Sequence, residues 1–186
     1  MTWLERVFAL TCDQLPDRSP HLAGVVFPLC FRLAGLYLGV AAAYIVIIAS
    51  RGWREPLSVR RGIALAVLLL PFLIDGWANT LHFWNTPGPL RAMTGLTAGI
   101  ALPMLLMSID APRTVRGEHP AHRVLWAGGV AFLLVAALLR PSSMAVFDGV
   151  AVVAAAGFVA LLANLLWAAR PAAWNRAVAH EGGRAP

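Results

Sequence analysis

The sequence predicts an all-α, polytopic membrane helix bundle of about five transmembrane helices, preceded by a short N-terminal interfacial helix. Three observations carry the prediction. Hydrophobic residues make up 59% of the 186 and charged residues only 13%, where a soluble domain carries about 25% charged. The mean hydropathy is +0.70. Five apolar stretches also approach the roughly 20 residues of helix needed to cross a hydrocarbon core.

The N-terminal "TWLERVFALTC" places Trp3, Leu4, Val7 and Phe8 on one helical face and Glu5 and Arg6 on the other, the pattern of a helix lying in a membrane surface. The spans follow near 31–50, 62–84, 90–109, 124–140 and 146–169. Arg140-Pro141 gives the fourth a sharp end. Pro71 and Pro103 fall inside the second and third, where neighbouring helices must satisfy the freed carbonyls. No internal repeat or second domain is evident, so residues 1–186 read as one integral membrane domain. Nothing at the N-terminus matches a cleavable signal peptide, and the first span is expected to do its own targeting.

All 15 basic residues are arginine and the formal charge is +6. In so apolar a chain this points to anionic lipid headgroups, and no basic stripe interleaved with aromatics suggests nucleic acid. Arg51, Arg54, Arg60, Arg61, Arg113, Arg116, Arg123, Arg170, Arg176 and Arg184 fall on one side of the spans. Arg6, Arg18, Arg32, Arg91 and Arg140 fall on the other. The positive-inside rule then places residues 1–30 outside the membrane and the 170–186 tail in the cytoplasm.

One stretch stands out chemically. In "LLLPFLIDGWANTLHFW", residues 68–84, Asp75 lies in an otherwise lipid-soluble run. Fourteen residues beyond Arg61, it sits about 21 Å across the membrane. Asn79 and His82 follow at i+4 and i+7, making a polar stripe that must face the bundle interior. Arg32 and Arg91 open the first and third spans at matching depth. Gly35 and Gly39 follow Arg32, and Gly95 and Gly99 follow Arg91. This small-xxx-small spacing marks a close helix contact, so both arginines should project into it and one or both should pair with Asp75. Asp148 is placed to join them.

Two arginines against one aspartate leave a surplus positive charge that suits an anionic group such as a phosphate. The leading expectation is a site for an anionic lipid or isoprenoid, with Arg32, Arg91 and Asn79 binding and with Asp75 and His82 orienting or exchanging protons. An ion pair that only sets helix register is the competing reading of the same residues. At the level of the whole protein the alternative is an accessory subunit of a larger membrane complex.

Residues 12–39 with "DGWAN" and "LRAMTGLTAG" resemble the prokaryotic membrane proteins grouped as domain of unknown function 2085, over about residues 12–105. The matches fall on Cys12, Pro16, Arg18, Ser19, Pro28, Cys30, Arg32, Gly35, Tyr37, Gly39, Asp75, Gly76, Arg91, Thr94 and Gly95. The resemblance implies the fold and no particular activity. Three positions depart from it: Asp13 stands for the family's His, Leu33 for its second Cys, and Gly88 for the Asn before the Arg. Of a Cys, His, Cys, Cys set that could hold zinc, only Cys12 and Cys30 remain. A disulfide between them, closing a loop of about eighteen residues and worth about 3 kcal/mol, stands beside free thiols or a metal remnant with Asp13.

Weaker signals remain. Glu118, His119 and His122 in "EHPAH" lack a fourth ligand and read as solvated loop, so no metal site is expected. Asn164 should make an interhelical hydrogen bond. Trp53, Trp84, Trp126, Trp167 and Trp174 fall near span ends as an interfacial belt. No phosphate-cradling glycine loop or nucleophile elbow names a cofactor.

Overall fold

The computed structural model describes residues 3–9, 11–12, 16–49, 59–109, 121–140 and 143–168. Glu118, His119, Asp13, Trp53 and Trp174, and the side chains of His122 and Trp167, lie outside them.

Six helices are present among the described residues: α1 Trp3–Phe8, α2 Phe31–Ala49, α3 Val59–Thr80, α4 Gly88–Ile109, α5 Ala121–Leu139 and α6 Met144–Ala168. Four of them, α2, α3, α4 and α6, are each long and apolar enough to span a bilayer. In α5 the apolar stretch is shorter, Trp126–Leu139. The fold is therefore the all-α membrane bundle expected, with α2 packed against α4, α5 and α6 and with α3 laid on α4.

Small residues set that arrangement. A Cβ on Gly35 would sit 2.0 Å from the Ala92 carbonyl oxygen, and one on Gly95 would sit 2.0 Å from that of Arg32. Backbone thus lies on backbone where α2 crosses α4, as the small-xxx-small spacing predicts. Aromatic rings close the other side of α2: Tyr37 meets Phe158 of α6 at 5.1 Å and stacks on Phe8 at 6.1 Å. Phe8 is fully buried, so α1 is pinned to the end of the bundle. Asn164 Nδ2 donates to Tyr44 Oη, the interhelical bond expected of it.

The N-terminal segment has more structure than the sequence reading anticipates. Pro16–Arg18 forms a 3₁₀ turn, and β1 His21–Leu22 pairs antiparallel with β2 Val25–Val26. Ala23 and Gly24 both have positive φ, 49° and 81°, the geometry of a two-residue type I′ hairpin turn. After the hairpin, Phe27 packs edge-on against Phe147 of α6 at 5.0 Å. The segment is thereby held over the end of the bundle.

The second span ends earlier than expected, at Thr80 rather than near 84. Phe83 N–H donates to Ala78 O at 2.9 Å and His82 N–H to Asn79 O at 3.4 Å, with His82 at φ 58°. These are the two bonds of a Schellman cap, with His82 at the left-handed position that glycine usually fills.

Candidate functional site

The beginnings of α2 and α4 and the end of α3 meet at one end of the bundle, bringing their charged and amide side chains together. Asp75, on α3, is buried. Arg32, from α2, donates Nε to Asp75 Oδ2 at 2.8 Å and brings its NH2 within 2.6 Å of the same oxygen. That NH2 also donates to the Asp75 carbonyl at 3.1 Å. Thr86, in the α3–α4 connection, donates to Asp75 Oδ1. Thr94 lies 3.5 Å from Oδ2 but donates at 2.9 Å to Arg91 O, the shorter and better use of its single hydrogen. Asp75 therefore has a counter-charge on one oxygen and a hydroxyl on the other.

Arg91 is held differently. It is 5% exposed, and its NH2 donates to Asn79 Oδ1 at 3.1 Å and to Asn85 Oδ1 at 2.7 Å. Both acceptors are neutral amides. Its Nε is buried with no hydrogen-bond partner among the described residues. The charges acting on it include the guanidiniums of Arg18 and Arg32 and the carboxylate of Asp75. Among the described residues, three guanidiniums are thus gathered against one carboxylate, and that carboxylate is committed to Arg32. Gly88 gives Arg91's helix its seat, since a Cβ there would come within 2.6 Å of the Phe31 ring. The Asn that the family pattern places just before the Arg is absent at Gly88, yet an asparagine still reaches Arg91, from position 85.

Of the residues the sequence singles out, Arg32, Asp75, Asn79 and Arg91 come together. His82 does not join them. A stripe at i, i+4, i+7 needs a continuous helix, and the cap that ends α3 turns His82 out as an exposed residue. Asp148 is likewise exposed near the start of α6. Asn85 and Thr86 were missed, because in sequence they read as ordinary connection residues. In sequence Arg18 enters only through the arginine count and the family motif, although its charge reaches Arg91.

Beside this cluster, Cys12 Sγ accepts from the Cys30 backbone N–H at 3.4 Å. The two sulfurs are not joined to each other in this structure. A hydrogen bond to the Cys12 thiol, together with burial, holds the Cys30 thiol well above its ordinary range. No group of three or more His, Cys, Asp or Glu placed to hold a metal exists among the described residues.

Two relatives each match a little over half of the chain. A protein of Methanothermobacter thermautotrophicus, named only as an uncharacterized protein, is 32% identical over 100 residues, covering 53% of this chain and 86% of its own. An uncharacterized protein of Methanocaldococcus jannaschii is 26% identical over 106 residues, covering 57% of this chain and 67% of its own. No solved structure matches significantly. The family model described as a predicted membrane protein, domain of unknown function 2085, matches residues 12–105, the span that contains every residue of the charged cluster. On that match and on the archaeal relative's identity, the chain belongs to this family of membrane proteins.

Proposed function

We propose that the protein binds the anionic head of a membrane lipid or isoprenoid at Arg91, with Arg32 and Arg18 adding to the attraction. One observation carries the reading: a nearly buried guanidinium whose acceptors among the described residues are both neutral amides and whose Nε has none there. A buried cation normally has a counter-charge, and here the nearby carboxylate is occupied by Arg32. An oxyanion would supply both the missing charge and an acceptor for Nε, and a planar guanidinium fits phosphate in particular. Asn79 and Asn85 then act as positioning residues that hold the guanidinium plane. Asp75 orients Arg32 and cancels one of the three positive charges. The arginine count along the chain orients this end toward the outer leaflet of the membrane.

Native mass spectrometry of detergent-released protein with phosphatidylglycerol or phosphatidylcholine tests the proposal. The anionic lipid should be retained preferentially, and Arg91→Gln should weaken its retention about tenfold or more, since a charge-assisted hydrogen bond is worth about 1.5–3 kcal/mol. Equal retention of both lipids by the wild-type protein, or an R91Q protein that is folded and unchanged, would reject it. Co-purification of a protein partner in the absence of lipid selectivity would favour the accessory-subunit reading instead.

A further inference from the structure

Cys12 and Cys30 are the reactive groups that the anion site leaves unused. They sit at the two ends of a segment that carries Arg18. Cys30 immediately precedes α2, and Cys12 follows α1. Packing holds both ends: Phe8 is buried against Tyr37 and Phe158, and Phe27 and Leu29 are buried just before Cys30. The contact from Cys30 N–H to Cys12 Sγ shows that this packing has already brought the two residues together, so closing a disulfide would order little further chain.

We propose that Cys12 and Cys30 are a thiol–disulfide pair whose oxidation ties the N-terminal segment covalently to the start of α2 and fixes the loop bearing Arg18 beside the arginine cluster. The oxidant is a disulfide, by exchange. The Cys12 thiol loses its proton and its sulfur attacks one sulfur of the oxidant, forming a mixed disulfide and expelling one thiolate, which takes up a proton. Cys30 then loses its proton and attacks the Cys12 sulfur, expelling the second thiolate. Two protein thiols and one disulfide become one protein disulfide and two small thiols. Cys12 attacks first because the hydrogen bond and burial keep Cys30 protonated.

Purified full-length protein is incubated with oxidised glutathione, denatured, and treated with a maleimide tag. Reduced protein should take two tags and oxidised protein none. The intact mass should fall by two hydrogens, with a cross-linked peptide joining Cys12 and Cys30 and a thermal midpoint in detergent several degrees higher. Cys12→Ser should leave Cys30 taggable under the same treatment. Two tags after oxidation, or two stable glutathione adducts, would overturn the pairing. An oxidised protein whose midpoint is unchanged would overturn the tether. None of these readouts involves lipid, so the outcome is separate from that of the anion site.

Discussion

Asp75 can be buried because each of its oxygens has a donor: Arg32 on Oδ2 and Thr86 on Oδ1. Removing one member of such a pair strands the other, at about 3–5 kcal/mol, whereas removing both charges strands none. Asp75→Asn or Arg32→Gln alone should therefore sharply lower the yield and thermal midpoint of detergent-extracted protein, and the double variant should recover part of the loss. Equal damage from single and double variants would contradict the pairing. This ion pair was legible in sequence, since a carboxylate within an apolar run must find a cation. The acceptors of Arg91 were half legible: Asn79 lies on a helix, whereas Asn85 belongs to a connection whose path no local pattern reveals. The thiol of Cys30 offers a pH test at this scale. Its folded value lies above its ordinary 9.0, so its contribution to stability is full below about pH 9 and is lost as pH rises further toward the folded value. Iodoacetamide at pH 9 should accordingly alkylate Cys30 far more slowly in folded protein than in denatured protein. Equal rates would show that the thiol is neither buried nor hydrogen-bonded.

The contact of α2 with α4 depends on hydrogen atoms where side chains would be. A methyl group at Gly95 would lie 2.0 Å from a backbone oxygen of the facing helix, and backbone cannot swing aside as a side-chain tip can. Gly95→Ala should separate the helices and cost at least the roughly 1–3 kcal/mol of an overpacked core. The separation would also pull Arg32 from Asp75, since Arg32 and Gly95 share this contact. Thermal stability in detergent measures it, and an undiminished midpoint would refute the backbone contact. Such glycines were readable because spacing alone reports them. The end of α3 was not readable, because a Schellman cap is usually announced by glycine and here histidine occupies the left-handed position. That identity predicts its own outcome. His82→Gly should leave lipid retention unchanged and stability equal or slightly higher, by up to about 1 kcal/mol; a fall in retention with stability intact would return His82 to the site. The hairpin of residues 21–26 was also hidden, since two-residue strands leave no alternation to detect.

Across the whole molecule, α3 reverses the pattern of a soluble amphipathic helix. Ile63, Val67, Leu70, Ile74 and Trp77 are exposed along one stripe, while Asp75 and Asn79 are buried. Such a surface is stable where the surrounding solvent is hydrocarbon and the polar groups must be satisfied internally. Composition made that environment legible from the start. The location of the charged cluster followed from requiring three helix ends to meet, whereas its charge imbalance emerged only once Arg32 was seen to engage Asp75 and leave Arg91 to two amides. The most direct measurement is an experimental structure of the protein in bilayers rich in phosphatidylglycerol. A phosphate oxygen should lie within hydrogen-bond reach, about 3 Å, of Arg91 Nε. A structure in which Nε is satisfied by a protein acceptor, with no headgroup near the cluster, would contradict it.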